Sequence, residues 1–454
     1  MENTEMKKII DRQRAFFHTG TTLDVSFRIA ALKRLQHMIR RHEKEIEAAL
    51  LLDLKKSSFE SYMCETGLVL DEIHYMLRHI RSFAKEQNVR TPLAQFCSRS
   101  YRKPSPYGVT LIVSPWNYPI LLTLDPLIDA IAAGNTVILK PSAYSPACSD
   151  LLAKLIHRYF PAKYLTVITG GRSENTVLLQ QHFDYIFFTG SKTVGREVMR
   201  QASSHLTPVT LELGGKSANI FFDDCKWDMA LDGLQLGILF NQGQVCCAGS
   251  RVFVQEGIYD KFVEAAVKAF NHVKVGLPWE QDTQMGSQIN EGQLKKILSY
   301  IDIAKSEGAT IACGGERCTE GELAKGAFMK PTLITNVTND MRVAQEEIFG
   351  PVACVIKFKT EDEVIVMAND SKYGLGGAVW TRDINRAIRV SRAIETGRMW
   401  VNTYNAIPAG APFGGYKQSG IGRETHKVIL EHYTQMKNIM INLSEAPSGF
   451  YPEK

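Results

Sequence analysis

The chain has no long apolar run. No window approaches the ~18 to 20 consecutive apolar residues that cross a bilayer as a helix, and the start, MENTEMKKIIDRQRAFFHTG, is charged throughout with no signal-peptide core. It also lacks a dominant charge sign. Fifty-three Lys and Arg stand against 48 Asp and Glu, a net charge of +5 over 454 residues, which gives no case for a nucleic-acid partner. Short basic stretches such as HMIRRHEK read as solvated helix faces. Several catalytic signatures are absent: no His-Glu-x-x-His, Cys-x-x-Cys or Gly-x-Ser-x-Gly occurs, which disfavours zinc hydrolysis and serine chemistry. The usual dinucleotide fingerprint Gly-x-Gly-x-x-Gly is missing as well. Disulfide-scaffold spacing is lacking too, because the nine cysteines are odd in number and scattered. Reduced thiols and a cytoplasmic location are therefore expected, with no membrane partner.

What is present is ordinary globular composition, 44% hydrophobic and 22% charged, in a chain long enough for two or three domains. From Phe27 to Phe83, apolar residues recur at three- and four-residue spacing, predicting a helical layer. The polar, proline-punctuated stretch between Asn88 and Tyr107 predicts an extended arm or hairpin. Strands then alternate with helices. GVTLIVSP, NTVILKPS, YLTVITGG, YIFFTGS and PVTLELGG read as buried strands, with helices at Leu121–Ala133 and Pro146–Phe160 between them, the pattern of a parallel sheet. A second α/β run begins near Gly215, with helices near Met229–Asn241 and Tyr259–Val273 and strands RVFVQ, PVACVIKF and GGAVWT. KNIMINL, near the end, lacks a local partner. It and the arm are candidates to pair with each other or with another subunit.

Several residues could carry chemistry. In NQGQVCCAGSR, Cys246 and Cys247 stand side by side between glycines, with Asn241, Gln242 and Gln244 supplying polar groups. Adjacent cysteines make poor disulfide or zinc partners, so either is an apolar filler or a nucleophile. Glu212 lies inside the apolar strand LELGG, as a general base raised by burial or as a structural carboxylate. Asn117, between Pro115 and Pro119, is an oxyanion donor or a turn residue. Lys140 ends a strand, where it leaves the core or reaches a ribose or phosphate. Gly190 and Gly195 flank Ser191 at a strand-to-helix turn suited to phosphate. Glu346 and Glu347 read as a solvated pair at a helix end.

Together these motifs resemble the aldehyde dehydrogenase superfamily. SPWNYP, ILKPS, FTGS, LELGGKS, NQGQVCCAGSR, EEIFGPV and PFGGYKQSGIGRE occur in the family's order and spacing from about Phe27 to Asn442. The short N-terminus and HLTPVTLELGGKS look most like its class 3 branch, which acts on fatty and aromatic aldehydes. The resemblance implies an α/β fold of two parallel-sheet domains, Rossmann-like and catalytic, with a small β bridging element. The expected bounds are 1–87 with 108–213 for cofactor, 214–424 for catalysis, and 88–107 with 425–454 for the bridging and oligomerisation arm. It implies a homodimer. It makes Cys246 the nucleophile, Glu212 the base that activates water, and Asn117 the oxyanion donor, and it leaves Cys247 to packing. It implies contacts to NAD or NADP from Trp116, Lys140, Ser142, Gly190, Ser191, Gly195, Leu213, Glu347 and Phe349, and no metal. Glu424, in GRE, matches a position associated in some members with proton relay. Ala143 stands where many NAD-using members have a ribose-binding glutamate, so NADP is expected to be accepted. The alternatives are a CoA-acylating or reductive relative, which has less need of Glu212, and a non-catalytic protein that kept the fold.

Overall fold

A computed structural model describes residues 3–447 and 450–451. The few residues of the expected domain ends at 1–2, 448–449 and 452–454 lie outside that description. The architecture is α/β, with two mainly parallel sheets and two smaller antiparallel ones, of three and two strands.

The first large sheet has six strands. Leu165–Val167, Thr136–Lys140, Val109–Val113, Tyr185–Thr189 and Val209–Glu212 lie side by side in parallel, and the short Gly420–Ile421 closes the edge antiparallel to Val209–Glu212. Its central strands are buried at every position. That is why they read as unbroken apolar runs: helices cover both faces of the sheet. One covering helix, Leu121–Ala133, is buried along nearly its whole length. Helices Val25–Arg41 and Gly67–Phe83 pack on it and supply Leu32, Leu35, Ile73 and Met76 to the same core.

The second sheet has seven strands, ordered Thr310–Cys313, Thr332–Thr335, Val352–Phe358, Arg251–Gln255, Ala218–Phe221, Gly376–Trp380 and Arg398–Val401, all parallel except the first pair. Three of these strands were legible as RVFVQ, PVACVIKF and GGAVWT. The other four have only four residues each, too few for alternation to declare itself.

The arm forms a strand at Gln87–Val89, a turn at Leu93–Gln95 and a nine-residue strand at Ser98–Pro106. The latter pairs antiparallel with Thr434–Asn442 along its full length, from Thr434 opposite Pro106 to Asn442 opposite Ser98. The two locally unpartnered segments thus satisfy each other's backbone groups. Among the described residues no helix is long and apolar enough to cross a membrane.

Candidate functional site

Cys246 reaches its position through a strained loop. After helix Trp227–Leu239, three successive residues take left-handed backbone angles: Asn241 (φ 49°), Gln242 (φ 57°) and Gly243 (φ 72°). Each such residue other than glycine costs roughly 1–2 kcal/mol, so the loop must be held from outside. Asn241 donates from Nδ2 to the carbonyls of Asn117 (3.1 Å) and Gln244 (3.2 Å). Gln244 donates to the Asn241 carbonyl (3.2 Å) and accepts from Ile289 N–H (2.9 Å). Gln288 binds the Gln242 carbonyl (3.2 Å). The loop's polar side chains are therefore spent on fixing its own backbone. Gly243 is required for a separate reason: a Cβ there would overlap the Gly350–Pro351 backbone.

The loop presents Cys246, partly exposed, to a cavity of about 420 Å³. Cys247 is buried at 2% exposure in the adjoining apolar cluster, and its carbonyl accepts from Tyr404 (2.8 Å). The Cys246 thiol is held well above its ordinary value by hydrogen bonding with the Cys247 thiol, by burial and by the nearby carboxyl groups of Glu424 and Glu347. Its proton must therefore be removed for it to act as a nucleophile.

Glu212 faces the same cavity. Its strand is fixed on both sides, with Thr189 in parallel register and Gly420 antiparallel. The side chain is 2% exposed and neither carboxyl oxygen has a hydrogen-bond partner. Burial raises its pKa well above the usual carboxylate range and Glu424 pushes it further, with Arg423 opposing. Glu424 also lines the cavity, and burial raises it to about 7 against the opposing charge of Arg398. Two buried carboxyl groups, both raised above the usual carboxylate range, bordering one cavity with a cysteine can hold and move protons. The remaining wall is largely apolar, with Met63, Leu68, Tyr118, Leu122, Phe240, Ile407 and Phe413.

Asn117 is buried beside the loop, and its Nδ2 donates to the Gln244 carbonyl (3.0 Å). An amide nitrogen has two hydrogens, so this bond leaves one unused; Asn117 itself lies behind the residues that border the cavity. Its backbone is clamped as well: Lys56 Nζ bonds the Asn117 carbonyl (3.0 Å) and Glu65 (2.6 Å). Glu65 in turn accepts from the N–H groups of Ile120 (3.1 Å) and Leu121 (2.8 Å), capping helix Leu121–Ala133. Glu65 sits on a π-helical turn, Tyr62–Thr66, which also brings Met63 and Cys64 to the cavity.

The residues expected to face a cofactor fall at the carboxyl ends of the six-stranded sheet and on one loop of the second. Lys140 is 2% exposed, bonds the carbonyls of Pro141 (2.9 Å) and Gly170 (2.7 Å), and is lowered by burial to about 8. Ser142 accepts from Tyr144 N–H (3.2 Å), and Ala143 beside it is exposed. Ser191 is the N-cap of helix Lys192–Ser203. Gly195 lets that helix's first turn lie on the sheet, since a Cβ there would come within 2.7 Å of Leu213 Cδ2. Gly190 likewise sits where a Cβ would meet the Phe188 ring at 2.6 Å. Glu347 accepts from Gly215 N–H (2.9 Å), whereas Glu346 is occupied by Arg342 (2.9 Å) and Tyr300 (2.8 Å). Phe349 has a left-handed backbone (φ 62°), and its ring meets Trp116 edge-on at 5.5 Å.

These surfaces suit a dinucleotide. The N-terminal end of helix Lys192–Ser203, which carries Lys192 and Arg196, the close-packed glycines and the buried Lys140 offer anion and hydroxyl contacts without a Gly-x-Gly-x-x-Gly turn. The structure also brings to the cavity acidic residues that sequence reading passed over: Asp71, Glu72 and Asp125. For Asp125 a signal existed, since it and Asp129 interrupt the apolar helix LLTLDPLIDAIAA.

Comparison with known proteins agrees with this geometry. The sequence pattern of the Aldehyde dehydrogenase family matches residues 1–439. Aldehyde dehydrogenase B of Escherichia coli is 41% identical over 436 residues, 94% of this chain and 84% of that protein. An NAD+ complex of aldehyde dehydrogenase from Bacillus cereus superposes with a TM-score of 0.92 at 35% identity, covering 98% of this chain and 90% of that one. Betaine aldehyde dehydrogenase from Staphylococcus aureus, also solved with NAD+, superposes with a TM-score of 0.93 at 36% identity, covering 98% and 89%. The chain belongs to the aldehyde dehydrogenase family.

Proposed function

We propose that the protein oxidises aldehydes to carboxylic acids with NAD or NADP, using Cys246 as nucleophile, Glu212 as general base and Asn117 as oxyanion donor. The observation that carries this reading is a single cavity bordered by both Cys246 and an unpartnered, buried Glu212. The Cys246 thiolate adds to the carbonyl carbon to give a tetrahedral thiohemiacetal alkoxide. The free Asn117 N–H and the Cys246 backbone amide stabilise the alkoxide oxygen. When bound, a nicotinamide cofactor supplies the acceptor for the hydride that leaves this carbon. Glu212 then takes a proton from the water that attacks the thioester, and the sulfur leaves with the electron pair of the C–S bond.

On the cofactor side, Lys140 and Ser142 serve the adenosine ribose. Ser191 would serve the pyrophosphate and Glu347 with Phe349 the nicotinamide ribose, with Trp116, Gly190, Gly195 and Leu213 as further contacts. Exposed Ala143 places no carboxylate against a 2′-phosphate, which supports acceptance of NADP. The apolar cavity wall supports a class 3-like preference for medium- to long-chain aliphatic or aromatic aldehydes. We further propose that 1–87 with 108–213 forms the cofactor domain and 214–424 the catalytic domain. The arm of 88–107 with 425–454 joins two copies into a homodimer, and the free cysteines suit a cytoplasmic location.

The test is an aldehyde panel of hexanal, decanal, benzaldehyde and betaine aldehyde, run with NAD and NADP in parallel. Carboxylate formed without CoA is expected. A strict CoA requirement would assign the chain to the acylating alternative. At least tenfold better efficiency with NAD would overturn the inference from Ala143, a ratio corresponding to about 1.4 kcal/mol.

A further inference from the structure

The acidic residues bordering the cavity have no role in the reaction as described so far. Glu72 is 1% exposed, and its carboxyl oxygens have no hydrogen-bond partner other than another carboxyl group. It meets Asp129, which is wholly buried, carboxyl to carboxyl in a shared side-chain hydrogen bond, while Asp125 lies one helical turn from Asp129 on the same helix. Glu72 and Asp125 both border the cavity that holds Cys246, Glu212 and Glu424. No ion pair reaches the three residues among those described. Three buried carboxylates so placed cannot all be ionised; they persist by retaining and sharing protons.

Their surroundings give the group a direction. Glu424 acts electrostatically on Glu212 at one end and on Glu72, Asp125 and Asp129 at the other. Beside Glu72, Asp71 is exposed and also borders the cavity. The carboxyl groups thus run from the buried base to solvent. The other groups around them are few. Tyr75 on the same helix and Tyr433 beside Asp129 are near, and Glu65 acts on Asp125 from the π turn. His426 approaches Tyr75 from the C-terminal helix, while Arg40 of the neighbouring helix is turned to His74. Arg398 faces Glu424 and Arg423 faces Glu212, at the base end of the row.

We propose that Glu72, Asp125 and Asp129, with Asp71 as the exit, carry protons from the Glu212–Glu424 end of the cavity to solvent. This rests on the reading of Glu212 as the base for thioester hydrolysis. In that step an O–H bond of water breaks as its oxygen bonds the acyl carbon, and the proton goes to Glu212. The proton then passes to Glu424, on to the Glu72–Asp129–Asp125 group, and leaves through Asp71, so that Glu212 is a free base for the next turnover. The residues act through Glu212 and do not touch the substrate. Burial and the repulsion of neighbouring carboxyl groups raise Glu72 to about 8 and push Asp125 and Asp129 well above the usual range, favouring the protonated form of each.

The experiment compares Glu72→Gln, Asp129→Asn and the exposed Asp71→Asn with the wild-type enzyme. Each is assayed for kcat and KM on neutral aldehydes, for the pH profile of kcat, for proton release during the first turnover with an indicator dye, and for the alkylation rate of Cys246. The expected result is a fall in kcat of about tenfold for the two buried variants, below the range for loss of a direct acid or base. The acid limb of the profile should move to higher pH, proton release should lag reduction of the cofactor, and alkylation should be unchanged. Asp71→Asn is expected to slow proton release without altering the fold. Thermal stability provides a control. A carboxyl group raised in the folded state favours folding below its unfolded pKa and loses that advantage as pH rises through the folded value. Glu72→Gln should therefore gain stability over the wild type between about pH 4.5 and 8. Unchanged kcat, pH profile and proton release would overturn the proposal. So would a loss confined to KM for cationic aldehydes, which would make the row a binding site for a positively charged substrate. Failure of the wild type to hydrolyse the thioester would instead overturn the functional reading on which the proposal rests.

Discussion

At residue scale, the adjacent cysteines have become unequal. Both border the cavity, but Cys246, three residues past the left-handed run, is partly exposed to it, while Cys247 is buried in the adjoining apolar cluster. Cys246→Ala is expected to abolish aldehyde oxidation and Cys247→Ala to leave most of it, measured as steady-state turnover; the reverse would mean the wrong thiol has been assigned. Asn117→Ala removes one oxyanion donor and is expected to lower kcat roughly 100-fold or more. It also removes the bond to the Gln244 carbonyl (3.0 Å), so the alkylation rate of Cys246 should be read alongside kcat. Unchanged alkylation with reduced turnover would support loss of oxyanion stabilisation over a displaced loop. The identity of the carboxylates that matter was only partly legible in the sequence. Glu212 stood out inside LELGG because a charge in an apolar strand needs a reason. Glu346 and Glu347, side by side, were separated by the family resemblance and not by their own chemistry; the structure adds what each meets, Arg342 and Tyr300 for the first, the Gly215 amide for the second.

At the scale of elements, the proposed phosphate-binding turn at helix Lys192–Ser203 is built without the usual glycine fingerprint. Gly195 allows its first turn to rest on Leu213, a residue of the strand end that borders the cavity. Gly195→Val is expected to push that turn outward and raise the KM for the cofactor roughly tenfold or more, with Cys246 alkylation unchanged. An unaltered cofactor KM would show that the turn does not set the cofactor's position. Helices with strong apolar periodicity were read closely: Leu121–Ala133 has the bounds expected of it, and Pro146–Tyr159 is one residue shorter. The π turn at Tyr62–Thr66 was hidden inside the helical layer. A π turn changes which side chains face inward by a fraction of a turn, and spacing within a continuous apolar stretch does not register so small a shift.

For the whole molecule, the antiparallel sheet made from Ser98–Pro106 and Thr434–Asn442 carries exposed apolar residues at its turn end. Leu93 and Phe96 on its turn are 86% and 79% exposed, and Leu443 lies beside them in a groove of about 640 Å³. Such a surface marks an interaction site, in keeping with the proposed dimer. Replacing Leu93 and Phe96 together by Asp is expected to turn dimers into monomers in sedimentation. A wild-type monomer, or a variant that remains dimeric, would remove this surface from the interface. The sequence by itself determined the α/β class, the alternating strands and helices and the family motifs, because hydrophobic period and glycine placement are local properties. Only the tertiary structure decided which distant side chains share a space. Glu72 and Asp125, from separate helices, meet Glu424 near the chain's end at one cavity with Cys246. Such a juxtaposition depends on how sheets and helices pack, and no segment records it alone.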